Sequence, residues 1–348
     1  MTILSDDIGS FPPPAGFTRE DASRLADRIV TGKASEDEKA RFNRTVVELM
    51  DAKVSAGIEA PNYPQLRDMI ESFYALIENH SEPEEPFVIL KENAVMPEVD
   101  AVGEYARRHY EEVGEPLNLR VCVTGPIDLY VRKISTQVDG DLLKNLGKSV
   151  GRFLENARLD EKHVKTRVVS IDEPSLGLNP NIIVEQEDLI EAWNLATDAV
   201  KDLDVQVHLH SSAEAETVYQ TDSIRIIGVE SAEDPDNLKG FEKKDLDSYD
   251  RFLRVGVSRS NITGMIADYE KQTGVNATGR EALLKLVDTM EDPITIRGRL
   301  EKAYNIFGDR IKYAGPDCGL GLWPDINAAA RLLENTAKSI AEFNKNGG

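Results

Sequence analysis

Three stretches of the chain end a short apolar run on a side chain able to bind or activate something: Val207-His208-Leu209-His210-Ser211-Ser212, Ile227-Gly228-Val229-Glu230-Ser231 and Gly315-Pro316-Asp317-Cys318-Gly319-Leu320. An imidazole, a carboxylate and a thiol from separate strand ends form a donor set that a catalytic zinc takes, with three protein ligands and a fourth place left open. His210, Glu230 and Cys318 are therefore the candidate ligands. Taken singly, His210 also fits a hydrogen-bonded interior residue, and Glu230 fits a salt-bridged inward carboxylate. Cys318 stands in a tight turn before Gly319, where a thiol is exposed rather than buried. Only five histidines occur, and two of them share one strand end. Side chains alternate along a strand, so His208 points the same way as His210; it is read as a packed or supporting residue rather than a ligand. Cys122, inside Arg120-Val121-Cys122-Val123, reads as a small core hydrophobe. Three further strand ends carry polar groups: Ile8-Gly9-Ser10-Phe11-Pro12, Val123-Thr124-Gly125-Pro126 and Ile171-Asp172-Glu173-Pro174.

The elements that must position these residues follow from rhythm. Eight short β-type runs alternate with longer amphipathic stretches: Ile3 to Gly9, Gly57 to Ala60, Leu119 to Gly125, Arg167 to Glu173, Val205 to Ser211, Ile224 to Glu230, Phe252 to Ser258 and Ile311 to Asp317. In the segment Asp188 to Leu203, Leu189, Trp193, Ala196 and Val200 recur at helical spacing. This is the pattern of an α/β protein, a (β/α)8 TIM barrel, in which polar residues at the C-terminal strand ends form the working face. Pro86 to Met96 reads as a hairpin or short strand outside the barrel, and Ala267 to Gly279 as a loop or broken helix. We expect one domain over 1–343 and a frayed tail over 344–348.

Composition narrows the function classes. The 348 residues hold 41 Lys+Arg against 62 Asp+Glu, a formal charge of -21, so nucleic acid and anionic membrane surfaces would be repelled. The beginning Thr2-Ile3-Leu4-Ser5-Asp6-Asp7 lacks a basic start and an apolar stretch, and two cysteines cannot build a disulfide framework. A reducing, cytoplasmic setting is expected.

The order Ile-Gly-Ser-Phe-Pro, Thr-Gly-Pro, Ile-Asp-Glu-Pro, a His-x-His strand end, a Glu-Ser strand end and Pro-Asp-Cys-Gly-Leu resembles the catalytic barrel of cobalamin-independent methionine synthase. The match, in the manner of the short single-barrel form of archaea and some bacteria, spans Ile8 to Leu320. The resemblance implies Zn2+ on His210, Glu230 and Cys318, with the sulfur of homocysteine completing the shell. It also implies that Asp172 binds the substrate amine and the Ser10 backbone its carboxylate.

Three departures qualify it. The family's fourth ligand is a cysteine at the position of Ser212; a neutral hydroxyl is a poor ligand, leaving three protein ligands, a water in the gap, or loss of zinc. The family's Glu-Arg-Asn-Asp-Met appears as Gln65-Leu66-Arg67-Asp68-Met69, so an amide replaces the carboxylate that helps hold the amine. The histidine that the resemblance implies for protonating a folate leaving group has no counterpart in Val257-Ser258-Arg259-Ser260-Asn261, and the long folate-binding N-terminal half is missing. These departures favour a methylcorrinoid (methylcobalamin-type) donor, delivered by a corrinoid protein. The rivals are methyl transfer to another thiol such as coenzyme M, and a non-catalytic barrel that binds a corrinoid or a partner. A uroporphyrinogen decarboxylase-like activity shares the fold but leaves Pro-Asp-Cys-Gly-Leu unexplained.

Overall fold

Val121-Cys122-Val123 is apolar at successive rather than alternate positions, the pattern of a strand covered on both faces, and it lies in a buried strand. In the computed structural model, which describes residues 2–347, eight strands occur: β1 (Leu4–Ser5), β2 (Leu117–Thr124), β3 (Asp160–Glu161), β4 (Val164–Asp172), β5 (Asp204–Leu209), β6 (Ile226–Val229), β7 (Phe252–Ser258) and β8 (Ile311–Pro316). Seven of them form a curled parallel sheet in the order β1-β8-β7-β6-β5-β4-β2, and β3 folds back antiparallel onto β4. Helices cross between the parallel strands and bury their apolar stripes against the sheet. Where helix Gly140–Asn156 meets helix Gln186–Thr197, a side chain at Gly147 would lie 2.4 Å from the Ala192 carbonyl oxygen, so glycine there sets the close approach.

Gly57 to Ala60, expected as the second strand, forms no regular strand. The segment makes isolated parallel bridges, Asp6 with Ala60 on the β1 side and Asn62 with Arg120 on the β2 side. Pro61 and Pro64 explain this: proline has no N–H to give a ladder, so pairing breaks into single bridges. Pro86 to Met96 is neither a hairpin nor a strand. It is a strap with one antiparallel bridge, Ser81 to Ile89, and a 3-10 turn at Lys91–Asn93. Ser149, Asn145 and Asn156 of helix Gly140–Asn156 hold its backbone. A broken helix is found after Ala267, with Gly274 in the left-handed region ending helix Ile262–Thr273 before helix Arg280–Met290 begins. The tail does not fray at Asn344: helix Ile326–Lys345 continues through it, and the Asn344 amide binds both the N–H (3.1 Å) and the carbonyl (2.8 Å) of Ile3.

The interior of the curled sheet carries charge. Asp6, fully buried, accepts from Arg120 Nη1 at 2.6 Å and from Arg254 Nε at 2.9 Å. Lys53 donates to Asp7 at 2.6 Å. Among the described residues, no helix is long and apolar enough to cross a membrane.

Candidate metal centre

His210 directly follows β5, Glu230 directly follows β6, and Cys318 lies two residues past β8, so all three stand at the same, C-terminal end of the sheet. Register places them: Leu209 pairs with Val229, which sets His210 level with Glu230 one step further on. His210 Nε2 is 3.3 Å from Glu230 Oε1 and 3.5 Å from Cys318 Sγ. Donor atoms around a tetrahedral zinc sit about 3.3 to 3.6 Å apart, given the usual zinc–nitrogen, zinc–oxygen and zinc–sulfur lengths. The structure therefore brings the three candidates together, and it adds a fourth. One atom each of His208, His210, Glu230 and Cys318 all lie within 4.8 Å of one another.

The electrostatics of the cluster suit a bound cation. Burial holds His210 down to about 4, so its ring is neutral with a lone pair free at neutral pH. Burial first, then the charges of Asp317 and Glu233, push the Glu230 carboxyl up to about 7. Burial and the neighbouring Glu230 push the Cys318 thiol up to about 12. Anionic donors packed together out of water resist ionising without a positive charge among them, and a divalent cation supplies it. Among the described residues, the one basic side chain within ion-pair distance of Glu230 is His210, which is uncharged at neutrality.

Side chains overlooked in the sequence hold the ligand-bearing loops. Asn237 Nδ2 donates to the carbonyls of His210 (3.0 Å) and Glu230 (2.8 Å), and its Oδ1 accepts from the Ser212 N–H (3.3 Å). Asp317, 1% exposed, accepts from the backbone N–H groups of Ser231, Ala232 and Glu233 at 2.7 to 2.9 Å, tying the turn before Cys318 to the loop after Glu230. Gly256 makes room for it, since a Cβ there would lie 1.8 Å from Asp317 Oδ1. Ser260 Oγ accepts the Cys318 N–H at 3.1 Å. Asp317 was visible in Pro-Asp-Cys-Gly, but nothing in the sequence marks Asn237, which sits in the 3-10 turn Pro235–Gly240.

The remaining candidates line the neighbourhood. Ser212 turns toward Gly240, where a Cβ would meet its Oγ at 2.1 Å. Ser10 lies against the Cys318 turn: its carbonyl accepts from Leu320 N at 2.8 Å and its Oγ from Gly321 N at 3.3 Å. Asp172 is buried, accepts from Ser170 Oγ at 2.8 Å, and is raised by desolvation despite Arg120. Its charge in turn raises the Cys318 thiol. Gln65 is engaged with the wall, donating to Tyr63 Oη at 2.8 Å and to the Cys122 carbonyl at 3.3 Å. Glu173 caps helix Pro126–Lys133 by accepting from the N–H groups of Ile127 and Asp128, and also accepts from Trp193 Nε1; it belongs to the scaffold. A groove of about 850 Å³ lined by Glu48, Asp51, Tyr105, Arg108 and His109 is roomy, but it holds none of the candidate ligands, and donor chemistry outweighs size here.

No protein-family model and no curated protein sequence matches the chain. Solved structures share its fold. A B12-independent methionine synthase from Shewanella sp. W3-18-1, in complex with selenomethionine, superposes at a TM-score of 0.61 with 14% identity, over 99% of this chain and 100% of that one. A candidate vitamin-B12-independent methionine synthase from Listeria monocytogenes superposes at 0.57 with 14% identity, over 98% of each chain. A methyltransferase from Methanosarcina mazei does so at 0.54 with 12% identity, over 97% of this chain and 94% of that one. At such identities the likeness establishes an α/β fold with a curled, parallel sheet, of the kind used by TIM-barrel-like methyltransferases.

Proposed function

We propose that this protein is a zinc-dependent thiol S-methyltransferase, with homocysteine as the acceptor and a methylcorrinoid as the donor. The scaffold in this reading is one (β/α)8 barrel that closes with helix Ile326–Lys345, with the proline-interrupted segment at Gly57–Ala60 standing in for the second strand. The observation that carries the proposal is the convergence of His210, Glu230 and Cys318 at one end of the sheet, with contacts of 3.3 and 3.5 Å between their donor atoms. The names of the Shewanella and Listeria proteins that share the fold support methyl transfer to a homocysteine-type thiol.

A zinc ion in this site supplies an electrostatic reason for an incoming thiol to lose its proton while its sulfur stays polarisable and nucleophilic. The chain supplies the rest. His210, Glu230 and Cys318 hold the ion, Asp172 meets the substrate amine, and the Ser10 backbone meets its carboxylate. A methylcorrinoid donor would supply the methyl group and keep the electron pair of its cobalt–carbon bond, while the thiol proton would pass to solvent. That leaving group needs no proton, which suits Val257-Ser258-Arg259-Ser260-Asn261. There Arg259 is ion-paired to Glu233 and Asp268, and no group titrating near neutrality stands in the stretch. With Ser212 in place of a thiolate, the ligand shell carries one negative charge fewer. The bound thiolate is then held tighter and is less reactive than in a site with two cysteines.

Gln65 favours a second reading, transfer to a thiol without an amino-acid end such as coenzyme M, because a neutral amide stands where a carboxylate would hold an amine, with its Nε2 engaged by Tyr63 and the Cys122 carbonyl. The test is demethylation of methylcobalamin by the zinc-loaded protein, with homocysteine and coenzyme M compared as acceptors. Loss of methyl to homocysteine supports the first reading and loss to coenzyme M the second. Failure with every thiol, or a protein that binds no zinc, rejects both and leaves a binding barrel.

A further inference from the structure

Strand alternation alone makes His208 a packed or supporting residue, and its surroundings argue otherwise. A residue that supports a ligand does so through a hydrogen bond, and a histidine that merely packs must satisfy its ring nitrogens. His208 does neither: it is 2% exposed, yet Nδ1 and Nε2 both lack a hydrogen-bond partner. Leaving such atoms unpaired costs about 1 to 3 kcal/mol each. The ring stands edge-on to His210, with centroids 5.3 Å apart, and one of its nitrogens falls within 4.8 Å of the donor atoms of His210, Glu230 and Cys318. Its strand neighbours keep it there. Asp172 pairs with it on β4 and Gly228 on β6, where the Arg254 side chain passes 3.4 Å from the place a Cβ would take.

We propose that His208 is the fourth protein ligand of the metal, taking the role that Ser212 cannot fill, so that an incoming thiol must displace one of the four or expand the shell to five. The inference rests on the zinc reading above. Ser212 is turned toward Gly240 and holds Asn237 through its N–H, whereas His208 reaches the same donor cluster from below, along its own strand. Two imidazoles, one carboxylate and one thiolate give a shell whose charge balances that of a zinc ion. A second thiolate in place of the second imidazole would leave it negative.

X-ray absorption at the zinc edge of the full-length, zinc-loaded protein tests this without any variant. The expected result is two imidazoles and one sulfur per zinc. In parallel, zinc affinity is measured by competition with a chromophoric chelator for the native chain and for His208→Gln, with circular dichroism of the metal-free variant as the folding control. A fall of about tenfold or more in affinity, with one imidazole lost from the absorption spectrum, supports His208 as a ligand. A native spectrum with a single imidazole overturns this inference while leaving the zinc enzyme standing, as does a folded His208→Gln protein that binds zinc as tightly as the native one. A native protein that takes up no zinc overturns both. Should His208→Gln fail to fold, the imidazole count of the native protein decides alone.

Discussion

Two groups of polar side chains stand within the curled sheet, a deeper one from the segment after β1, β2, β7 and helix Glu36–Ser55 and one at the ends of β5, β6 and β8, and they differ in how their charges are met. In the deeper layer, Asp6 lies between Arg120 and Arg254, and Asp7 is paired with Lys53; each acid has a cationic side chain within 3 Å. At the strand ends, Glu230 and Cys318 stand beside neutral imidazoles rather than cations, and both are driven toward their uncharged forms. Arg254 pairs in register with Gly228, which pairs with His208, so the two layers meet at His208. The lesson is that buried charge by itself marks nothing. A group in which every acid meets a cation of the fold is scaffold, and one whose acids must be met from outside is a site.

The contrast is broken most severely from below. Asp6→Ala leaves two guanidinium groups buried without a counter-charge, and loss of one partner from such a group costs about 3 to 5 kcal/mol. Denaturant unfolding of the metal-free protein should show that loss. If the variant is as stable as the native chain, the deep layer is not held by Asp6. At the mouth the reverse is expected. Cys318→Ala should change metal-free stability by no more than about 1 kcal/mol. Its zinc affinity should fall further than the roughly 10 to 100-fold typical of losing an outer partner. Equal zinc affinity would remove Cys318 from the site.

A subtler change sharpens the same contrast. Asp317 touches no candidate ligand's donor atom, but it anchors three N–H groups after Glu230 from the position before Cys318. Asp317→Asn keeps the shape and turns an acceptor into a partial donor facing those groups. Zinc affinity should fall about 10 to 100-fold, with the far-ultraviolet circular dichroism unchanged. An unaltered affinity would mean that the two loops hold their geometry without it.

How far the sequence reached follows the same division. β7 was read with both ends correct, and β8 to within one residue, because their apolar runs are continuous and bounded by turns. His210, Glu230 and Cys318 could be read from type and position because strand ends converge in this class of fold. Gly57 to Ala60 failed as a strand because apolar patterning ignores the missing N–H groups of Pro61 and Pro64. Asn344 was given to a fraying tail because its tie to Ile3 joins residues 341 positions apart. Asn237 was hidden because an asparagine in an acidic loop looks like any solvated turn until the carbonyls of His210 and Glu230 are seen to meet on it. For His208, alternation gives the direction of the side chain but not whether its nitrogens find partners, which the structure alone reveals.

The last expectation concerns pH and separates the ligands by the protons they give up. Metal binding takes neutral imidazoles, a carboxylate and a thiolate, so every group still protonated in the free site must release its proton, and affinity rises with pH accordingly. His210, at about 4, has nothing to release above that value. Cys318, at about 12, releases one proton across the whole accessible range. Glu230, at about 7, releases one below 7 and none above it. By linkage, zinc affinity measured at buffered free metal should rise about a hundredfold per pH unit between about 4 and 7, and about tenfold per unit above 7. Glu230→Gln should erase the break near 7 and leave the shallower slope throughout, while Cys318→Ala should keep the break and lower both slopes by one proton. A native profile with no break near neutrality would show that Glu230 does not change its protonation on binding, and would shift the weight of the site onto the two histidines and Cys318.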